Sequence, residues 1–387
     1  MEPDLALPLL GGLTPAQFMR RHWQKSARLI RQAIPGFAGV CSQRELFALA
    51  ARDDVESRLV VRTGSARKSI FSLEHGPFRA ADFKALPATG WTLLVQGVDL
   101  HLDAAADLLR RFSFIPYARL DDLMVSYAVP GGGVGPHFDS YDVFLLQGPG
   151  RRRWRVSTQE DLRLIPGLPL KILKHFKAED SWYLEPGDML YLPPSVAHDG
   201  IALTACMTCS IGFRAPTGRE LVESFLQFLP ESLEIAGTRY ADPDLAPTRR
   251  PGRIDGKLQR RMGAMLRAVR WDRTVVERFL GCLLSEPKAD VFFDPPAAPL
   301  PLPAFVRLAT GAAHGAVRLD RRARMLYDNA SVYLNGEVFA GLAEHPALAA
   351  LADHRRLSAA ALPGPTLRLL HQAYLTGALH VGSSRES

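Results

Sequence analysis

The sequence has few cysteines and no long apolar run. Its 387 residues include four cysteines, Cys41, Cys206, Cys209 and Cys282, which form no disulfide framework in a chain of this length. Charged residues or prolines interrupt each apolar stretch before the roughly 18 residues that a membrane span needs. The N-terminal stretch MEPDLALPLLGG lacks the basic start and long apolar core of a secretory signal. We therefore expect a cytoplasmic protein with no membrane association.

The composition also lacks a strong bias in hydrophobicity or charge. Hydrophobic residues make up 47% and charged residues 22% of the chain, which excludes a disordered chain, a collagen-like repeat and a long coiled coil. Lys and Arg number 47 against 40 Asp and Glu, a net charge of +7. This mildly basic balance permits an acidic partner such as RNA or a ribosomal surface but does not indicate one.

The first part of the chain mixes helical and strand patterns. Thr14-Pro15 is typical of a helix start, Ser42 is a plausible cap for a second helix, and Asp103 for a third over 104–112. From 121 to 214 short apolar runs alternate with Gly/Pro turns, which predicts an antiparallel β-sandwich or barrel.

The sequence pattern changes again after residue 215. Residues 216–285 show helical periodicity, and the proline-rich segment 286–303 predicts a linker. Residues 304–387 follow as a small α+β module of winged-helix type. In this module the stretch 317–341 reads as three short strands with Asn335-Gly336 as a hairpin turn.

A possible metal site lies in and beyond the stretch PGGGVGPHFDSYDVF. His137 and Asp139 form an H-x-D pair, and residues two apart on an extended segment point to the same side. His198, 59 residues beyond Asp139 in YLPPSVAHDG, is the best third ligand. Two His and one carboxylate on one face are the arrangement of non-haem Fe(II) oxygenases. A second H-x-D, at His101 and Asp103, is interpreted as a helix start with a surface histidine.

Two further residues fit the same cavity. Arg152, on the strand that follows, can grip a carboxylate in bidentate fashion, as a 2-oxo acid cosubstrate requires; the alternative is a solvated basic turn. Ser210 or Thr208, on the strand after His198, can face inward and help to bind that cosubstrate. The Cys206-x-x-Cys209 pair reads as buried core, since residues three apart on a strand face opposite sides.

The longest motifs carry a family resemblance. The stretches HWQK, DDLMVSYAVPGGGVGPHFDSYDVFLLQGPGRRRWRV, LEPGDMLYLPPSVAHDG and SIGFRAPTGREL closely resemble the bacterial ribosomal oxygenases, which are JmjC/cupin-type, Fe(II)- and 2-oxoglutarate-dependent protein hydroxylases. The resemblance implies an α+β protein with a double-stranded β-helix core in a catalytic domain (1–215). A helical dimerisation region (216–285), a linker (286–303) and a winged-helix-like module (304–387) follow it.

The resemblance also implies a site and a substrate. His137, Asp139 and His198 would be the catalytic iron ligands, and Arg152 would bind the distal carboxylate of 2-oxoglutarate, with O2 as the second cosubstrate. Many JmjC relatives carry Lys where this chain has Arg152. The implied reaction is hydroxylation of an arginine β-carbon in large-subunit ribosomal protein L-sixteen, with succinate and CO2 as products, by a homodimer.

Two questions stay open at the level of sequence. Asp121, Asp122, Asp142 and Asp199 flank the site, and each is either a guanidinium ligand or a solvated loop charge; Tyr127 and Tyr141 line the entrance or pack in the core. The alternative function is a non-catalytic metal cupin that acts as a ribosome- or RNA-binding adaptor. Because the C-terminal tail mixes acidic and basic residues, no direct nucleic-acid binding is expected.

Overall fold

The chain folds into two compact units in a computed structural model. The first unit comprises Met1–Ala215, Ala289–Phe293 and Asp320–Arg322, and the second comprises Pro216–Lys288, Asp294–Leu319 and Ala323–Ser387. The structure describes residues 4–65, 68–233, 237, 239–311, 316–358 and 362–382. The four-part division predicted from sequence, with bounds at 215, 285 and 303, stays a prediction.

Two antiparallel sheets form the first unit. The larger, eight-stranded sheet has the order β1-β9-β6-β11-β5-β4-β2-β3, and the smaller has the order β10-β7-β8. The strands are β1 (Arg28–Ile30), β2 (Ser57–Ser65), β3 (Lys68–His75), β4 (Trp91–Val95), β5 (Leu120–Ala128), β6 (Val143–Gln147), β7 (Arg152–Ser157), β8 (Asp180–Leu184), β9 (Met189–Leu192), β10 (Ala197–Ala202) and β11 (Cys206–Phe213). This is the architecture that the alternating runs of 121–214 predicted.

Apolar side chains hold the two sheets together. Val143 and Leu145 of β6 pack in one buried cluster with Trp154 and Val156 of β7. Every residue of β6 and of β9 is buried, because both faces of these central strands are covered. The opposite face of the large sheet packs in a second, larger cluster. The space between the sheets is therefore lined by side chains of both.

Short helices flank the sheets, and their starts are encoded locally. They are α1 (Pro15–Arg21), α2 (Gln43–Ala50), α3 (Ala80–Lys84) and α4 (Asp103–Arg110). Thr14 and Ser42 each close a capping box with the third residue of the helix, so both predicted caps are confirmed. The predicted cap of α4 is wrong by one residue: Leu102 is the N-cap, and Asp103 lies in the first turn, where an acidic side chain still favours the helix dipole.

The second unit contains helices and two small sheets. Its elements are α5 (Gly218–Ser232), α6 (Gly256–Ala268), α7 (Arg273–Ser285), α8 (Leu302–Thr310), β12 (Val317–Leu319), β13 (Met325–Tyr327), β14 (Ser331–Leu334), β15 (Glu337–Gly341), α9 (Ala347–His354), β16 (Arg356–Leu357), α10 (Gly364–Leu375) and β17 (Leu379–Val381). The three-stranded sheets have the orders β16-β12-β17 and β13-β14-β15. None of the helices that the structure describes is long and apolar enough to cross a membrane.

The stretch 317–341 holds one strand more than the three predicted. β12 and β13 are separate strands in different sheets, divided at the charged residues 320–322. The predicted turn between β14 and β15 is confirmed, because Asn335 and Gly336 both have positive φ, 53° and 91°, as a two-residue hairpin turn requires.

Candidate metal and cosubstrate site

Backbone pairing brings His137 beside His198. The His137 amide donates to the His198 carbonyl at 2.9 Å, and the His198 amide donates to the His137 carbonyl at 2.8 Å. The Ser195 amide donates to the Asp139 carbonyl at 2.8 Å. The loop before β6 is thus fixed to the start of β10 by three hydrogen bonds, although the two segments lie about 60 residues apart in sequence.

Three side chains converge at this junction. One ligand atom each from His137, Asp139 and His198 lies within 4.8 Å of the others, and Asp139 Oδ2 is 3.7 Å from His198 Nε2. His198 is buried, whereas the Asp139 side chain keeps 23% of its surface exposed. The three ligand atoms are therefore enclosed on the His198 side and accessible to solvent on the Asp139 side. A metal site with free coordination positions has this form.

Both imidazoles are oriented for ligation. His137 Nδ1 lies 2.9 Å from the Gly135 carbonyl, and His198 Nδ1 lies 2.9 Å from the Val196 carbonyl. Each Nδ1–H donates to its carbonyl, which leaves the Nε2 lone pair for a metal. Burial, and after it the neighbouring His137, lower the pKa of His198 to about 4, so this imidazole is neutral at pH 7. Two imidazole nitrogens and a carboxylate oxygen suit Fe(II).

Arg152 lies on the same face of the small sheet as His198. In the pairing of β10 with β7, Arg152 is opposite Ala202, Trp154 is opposite Gly200, and Val156 is opposite His198. Because residues two apart on a strand point to the same side, Arg152 and Trp154 lie on the side that carries His198. Arg152 is 4% exposed, and its Nε and Nη2 have no hydrogen-bond partner in the described part of the chain. A buried cation without a partner is costly, which indicates an anionic ligand.

Trp154 connects these groups. Its ring lies 5.8 Å from the His198 ring, and the Arg152 guanidinium lies 5.7 Å from the Trp154 ring. A Cβ at Gly200 would stand 2.6 Å from the Trp154 ring, so only glycine opposite it leaves room for the indole. Trp154 was not among the candidate residues from sequence, although its period-two spacing from Arg152 was a usable signal.

Ser210 also faces the space between the sheets. It is buried on β11 and lies opposite Leu145 of β6, whose side chain packs with Trp154 of the small sheet. Thr208, the other candidate, lies with its hydroxyl 3.4 Å from Gln147 Oε1. The position of Ser210 is compatible with cosubstrate binding, and its role stays a prediction.

The glycine-rich approach to His137 passes against two backbones. A Cβ at Gly132 would stand 2.2 Å from the Trp91 carbonyl oxygen, and one at Gly133 would stand 2.3 Å from the Gly200 carbonyl oxygen. Gly135 has a φ of +80°, a left-handed conformation that favours glycine. The stretch is therefore glycine-rich because it lies directly on β4 and β10, and so positions His137.

Three of the flanking acids, Asp122, Asp142 and Asp199, belong to the interior, which neither interpretation from sequence anticipated. Asp142 is fully buried and accepts hydrogen bonds from Tyr191 Oη at 2.6 Å and Gln24 Nε2 at 2.9 Å. Asp199 is buried and paired with Arg155 directly across β7 and β10. These carboxylates are neither solvated loop charges nor ligands at the entrance, because neighbouring side chains already hold them.

Tyr141 and the buried Asp122 lie near Asp139. The pKa of the Tyr141 hydroxyl is raised, first by burial and then by the Asp139 and Asp122 carboxylates, so these groups lie close together. Asp122 Oδ2 accepts from Gln96 Nε2 at 2.8 Å and from the Gly97 amide at 3.1 Å. Tyr141 is 42% exposed, so it lies at the entrance rather than in the core.

Comparison with known families gives two matches. A JmjC domain model matches residues 107–221, which include the three candidate ligands, Arg152 and Ser210. A ROXA-like winged-helix model matches residues 268–380. The first match covers β5 to β11, and the second covers the C-terminal part of the second unit.

Curated relatives and solved structures agree with these matches. The chain is 37% identical to the ribosomal protein uL16 3-hydroxylase of Escherichia coli over 88% of its own length and 89% of the relative's. It is 35% identical to a probable ribosomal oxygenase of Haemophilus influenzae over 62% of this chain and 57% of that protein. The structure of YcfD, a ribosomal oxygenase from Escherichia coli, in complex with cobalt and 2-oxoglutarate is similar at a TM-score of 0.79 and 33% identity, covering 95% of this chain and 98% of that one.

Proposed function

Because the chain belongs to the JmjC ribosomal oxygenase family, we propose that it is a 2-oxoglutarate-dependent oxygenase that hydroxylates the β-carbon of an arginine in ribosomal protein uL16. The name of the Escherichia coli relative, a uL16 3-hydroxylase, supports this position, since carbon 3 of an amino acid is its β-carbon. When bound, iron and 2-oxoglutarate supply O2-dependent hydroxylation of an unactivated C–H bond and release succinate and CO2.

The single observation that carries the proposal is the buried Arg152 guanidinium, whose Nε and Nη2 lack a hydrogen-bond partner in the described residues, near the three candidate ligands. We assign the iron to His137, Asp139 and His198, and the distal carboxylate of 2-oxoglutarate to Arg152. Ser210 is the candidate for a second polar contact to the cosubstrate. A guanidinium that is buried without an anion in the described residues fits a dicarboxylic cosubstrate better than a neutral one.

The chain contributes position and solvent exclusion. The His137 and His198 rings are fixed by hydrogen bonds to the Gly135 and Val196 carbonyls, so ligation requires no rearrangement. Tyr141 at the entrance, close to Asp139, presents a phenol oxygen to the incoming substrate. An arginine side chain carries donors only, so an acceptor oxygen at the entrance fits arginine as the target residue.

The partners follow from the same assignment. We propose a large-subunit ribosomal protein as the substrate, a cytoplasmic location and a homodimer. The dimer is supported by exposed apolar side chains on α5 and α6, among them Leu226 at 59% and Leu266 at 76% exposure.

The test is turnover of a uL16 peptide by the full-length protein with Fe(II) and 2-oxoglutarate. We expect a peptide that gains one oxygen atom, located on the arginine β-carbon by fragmentation, and no product from the peptide with lysine in place of that arginine. His137→Ala should abolish turnover, whereas His101→Ala, the same change in the other H-x-D pair, should leave it intact. Oxidation of both peptides alike, or none by the iron-loaded protein, would contradict the proposal.

A further inference from the structure

The positive charge of this protein is concentrated in one short segment. Residues 249–273, which we call the basic segment, contain nine Arg and Lys against two Asp, while the rest of the chain has 38 basic and 38 acidic residues. The whole net charge of +7 therefore resides in these 25 residues. A charge excess of this density is a basis for binding polyanions.

Most of these basic side chains are available. Among the described residues, only Arg261 and Arg273 of the nine have a carboxylate within ion-pair distance, Asp244 and Glu277 respectively. All nine are exposed except Arg261, which is half-buried. Basic side chains without an internal partner can replace the cations condensed on a polyanion, and release of those cations favours binding.

The segment presents the charge as a line. Lys257, Arg260 and Arg267 fall on one side of α6 by their spacing of three and seven residues. The non-helical residues before α6 add Arg249, Arg250 and Arg253 to the basic segment. The helix alone extends about 20 Å, so the row matches an extended polyanion better than a single phosphate group.

The apolar side of α6 is distinct from this row. Met262, Met265 and Leu266 are exposed and lie on the opposite side of the helix by the same spacing. A partner on the apolar side therefore leaves the basic row free for a second ligand.

We propose that the basic segment binds the phosphate backbone of RNA and so holds the enzyme on an RNA-rich ribosomal surface; the ribosomal part of this inference rests on the proposed function. Eight of the nine basic residues are arginines, which hold phosphate in bidentate fashion and stack on bases, whereas lysine acts as a point charge. This chemistry favours RNA over an anionic membrane. The proposal revises the expectation of no nucleic-acid binding, which rested on the mixed charges of the C-terminal tail.

The test compares two triple variants with the same change of charge. Arg253→Gln/Arg260→Gln/Arg267→Gln removes three of the nine charges of the basic segment, and Arg20→Gln/Arg44→Gln/Arg111→Gln removes three exposed arginines of the first unit. Binding of a labelled single-stranded RNA by the full-length protein is measured by anisotropy across a salt series. We expect the first variant to bind at least about 10-fold more weakly at low salt, with a slope of log K against log salt shallower by about 2. The control should change less than about 2-fold.

Two further measurements separate the explanations. Sedimentation of both variants checks that the oligomeric state is unchanged, and hydroxylation of the uL16 peptide should persist in both. An equal loss of RNA binding in the two variants, no salt-dependent binding by the wild type, or arginine-dependent binding to phosphatidylserine vesicles without RNA binding would overturn the inference. If the wild type oxidises no peptide but binds RNA through the row, the proposed reaction fails and this surface stands.

Discussion

At the scale of the residue, Arg152 has two opposite effects: it destabilises the ligand-free protein and it prepares the site for a carboxylate. Its guanidinium is buried, with Nε and Nη2 unpaired in the described residues, which destabilises the protein without ligand. The same atoms are ready to donate to a carboxylate, and charge-assisted bidentate bonds are among the strongest that proteins form. The protein without cosubstrate is therefore destabilised by the same unpaired atoms that allow Arg152 to bind a carboxylate.

Arg152→Met separates these effects. Without 2-oxoglutarate we expect equal or slightly higher thermal stability, because methionine fills the site without an unpaired charge. The KM for 2-oxoglutarate should rise about 100-fold, which corresponds to about 2.7 kcal/mol, since each hydrogen bond to a charged group contributes about 1.5 to 3 kcal/mol. Thermal melts with and without cosubstrate, together with initial rates, measure both effects.

Arg153→Met is the matched control, because Arg153 points to the other side of β7. It should leave the KM unchanged. A drop in the stability of the ligand-free Arg152→Met protein, combined with an unaltered KM, would show that Arg152 supports the fold rather than the cosubstrate.

Sequence could predict the convergence of His137, Asp139 and His198 because spacing on strands determines which side chains share a face. It could not predict the burial of Asp142, since this depends on Tyr191 and Gln24, which lie 49 and 118 residues away. In the sequence, the HWQK stretch that contains Gln24 served only as part of the family resemblance. The structure adds its physical role, the hydrogen bond from Gln24 to Asp142. A buried carboxylate is recognised only when its donors are known.

At the scale of the element, the pairing of the glycine-rich loop with β10 positions the ligands. The Gly132 carbonyl accepts from the Ala202 amide at 2.9 Å, and Gly133 lies against the Gly200 carbonyl. The loop therefore lies flat along the strand that carries His198. Any side chain between the two must separate them.

Gly133→Ala tests this arrangement. The added Cβ would stand 2.3 Å from a backbone oxygen, so the loop has to move away from β10, and His137 moves with it. We expect a loss of at least about 2 kcal/mol in the free energy of unfolding and weakened binding of Co(II). Urea denaturation and a metal titration measure the two changes.

The control is Gly218→Ala, where nothing lies within 4 Å of the added atom; it should change the free energy of unfolding by only a few tenths of a kcal/mol. Full stability and full metal affinity in Gly133→Ala would mean that the loop does not need its close approach to β10.

Sequence predicts some elements better than others. Elements determined by neighbouring residues are predicted well, and elements determined by distant residues are not. The capping boxes at Thr14 and Ser42 lie within four residues, so their signal is complete in the sequence. The division of 317–341 into strands of two sheets depends on which distant strand pairs with each, and β12 pairs with β16 and β17 near the end of the chain. Pairing of that range leaves no short-range pattern.

At the scale of the whole molecule, basic residues and exposed apolar residues are unevenly distributed along the chain, which the overall composition does not show. A net charge of +7 spread over 387 residues indicates little, but its concentration in 249–273 indicates a surface. The exposed apolar residues of α5 and α6 show the same local concentration: Val222, Leu226, Met262, Met265 and Leu266. Both features lie in the helical region that the sequence assigned to dimerisation.

The last prediction concerns the oligomeric state. The exposed large apolar side chains of α5 and α6 are typical of an interaction surface, and a homodimer covers such a surface with a second copy of itself. Leu226→Glu/Leu266→Glu places four charges in that interface, two from each copy, and desolvating them opposes association. We expect sedimentation at the mass of one chain, whereas the wild type sediments at twice that mass. Leu5→Glu/Leu245→Glu, on equally exposed leucines at 58% and 65%, should stay dimeric. A monomeric wild type, or dissociation of both variants alike, would exclude α5 and α6 as the dimer interface.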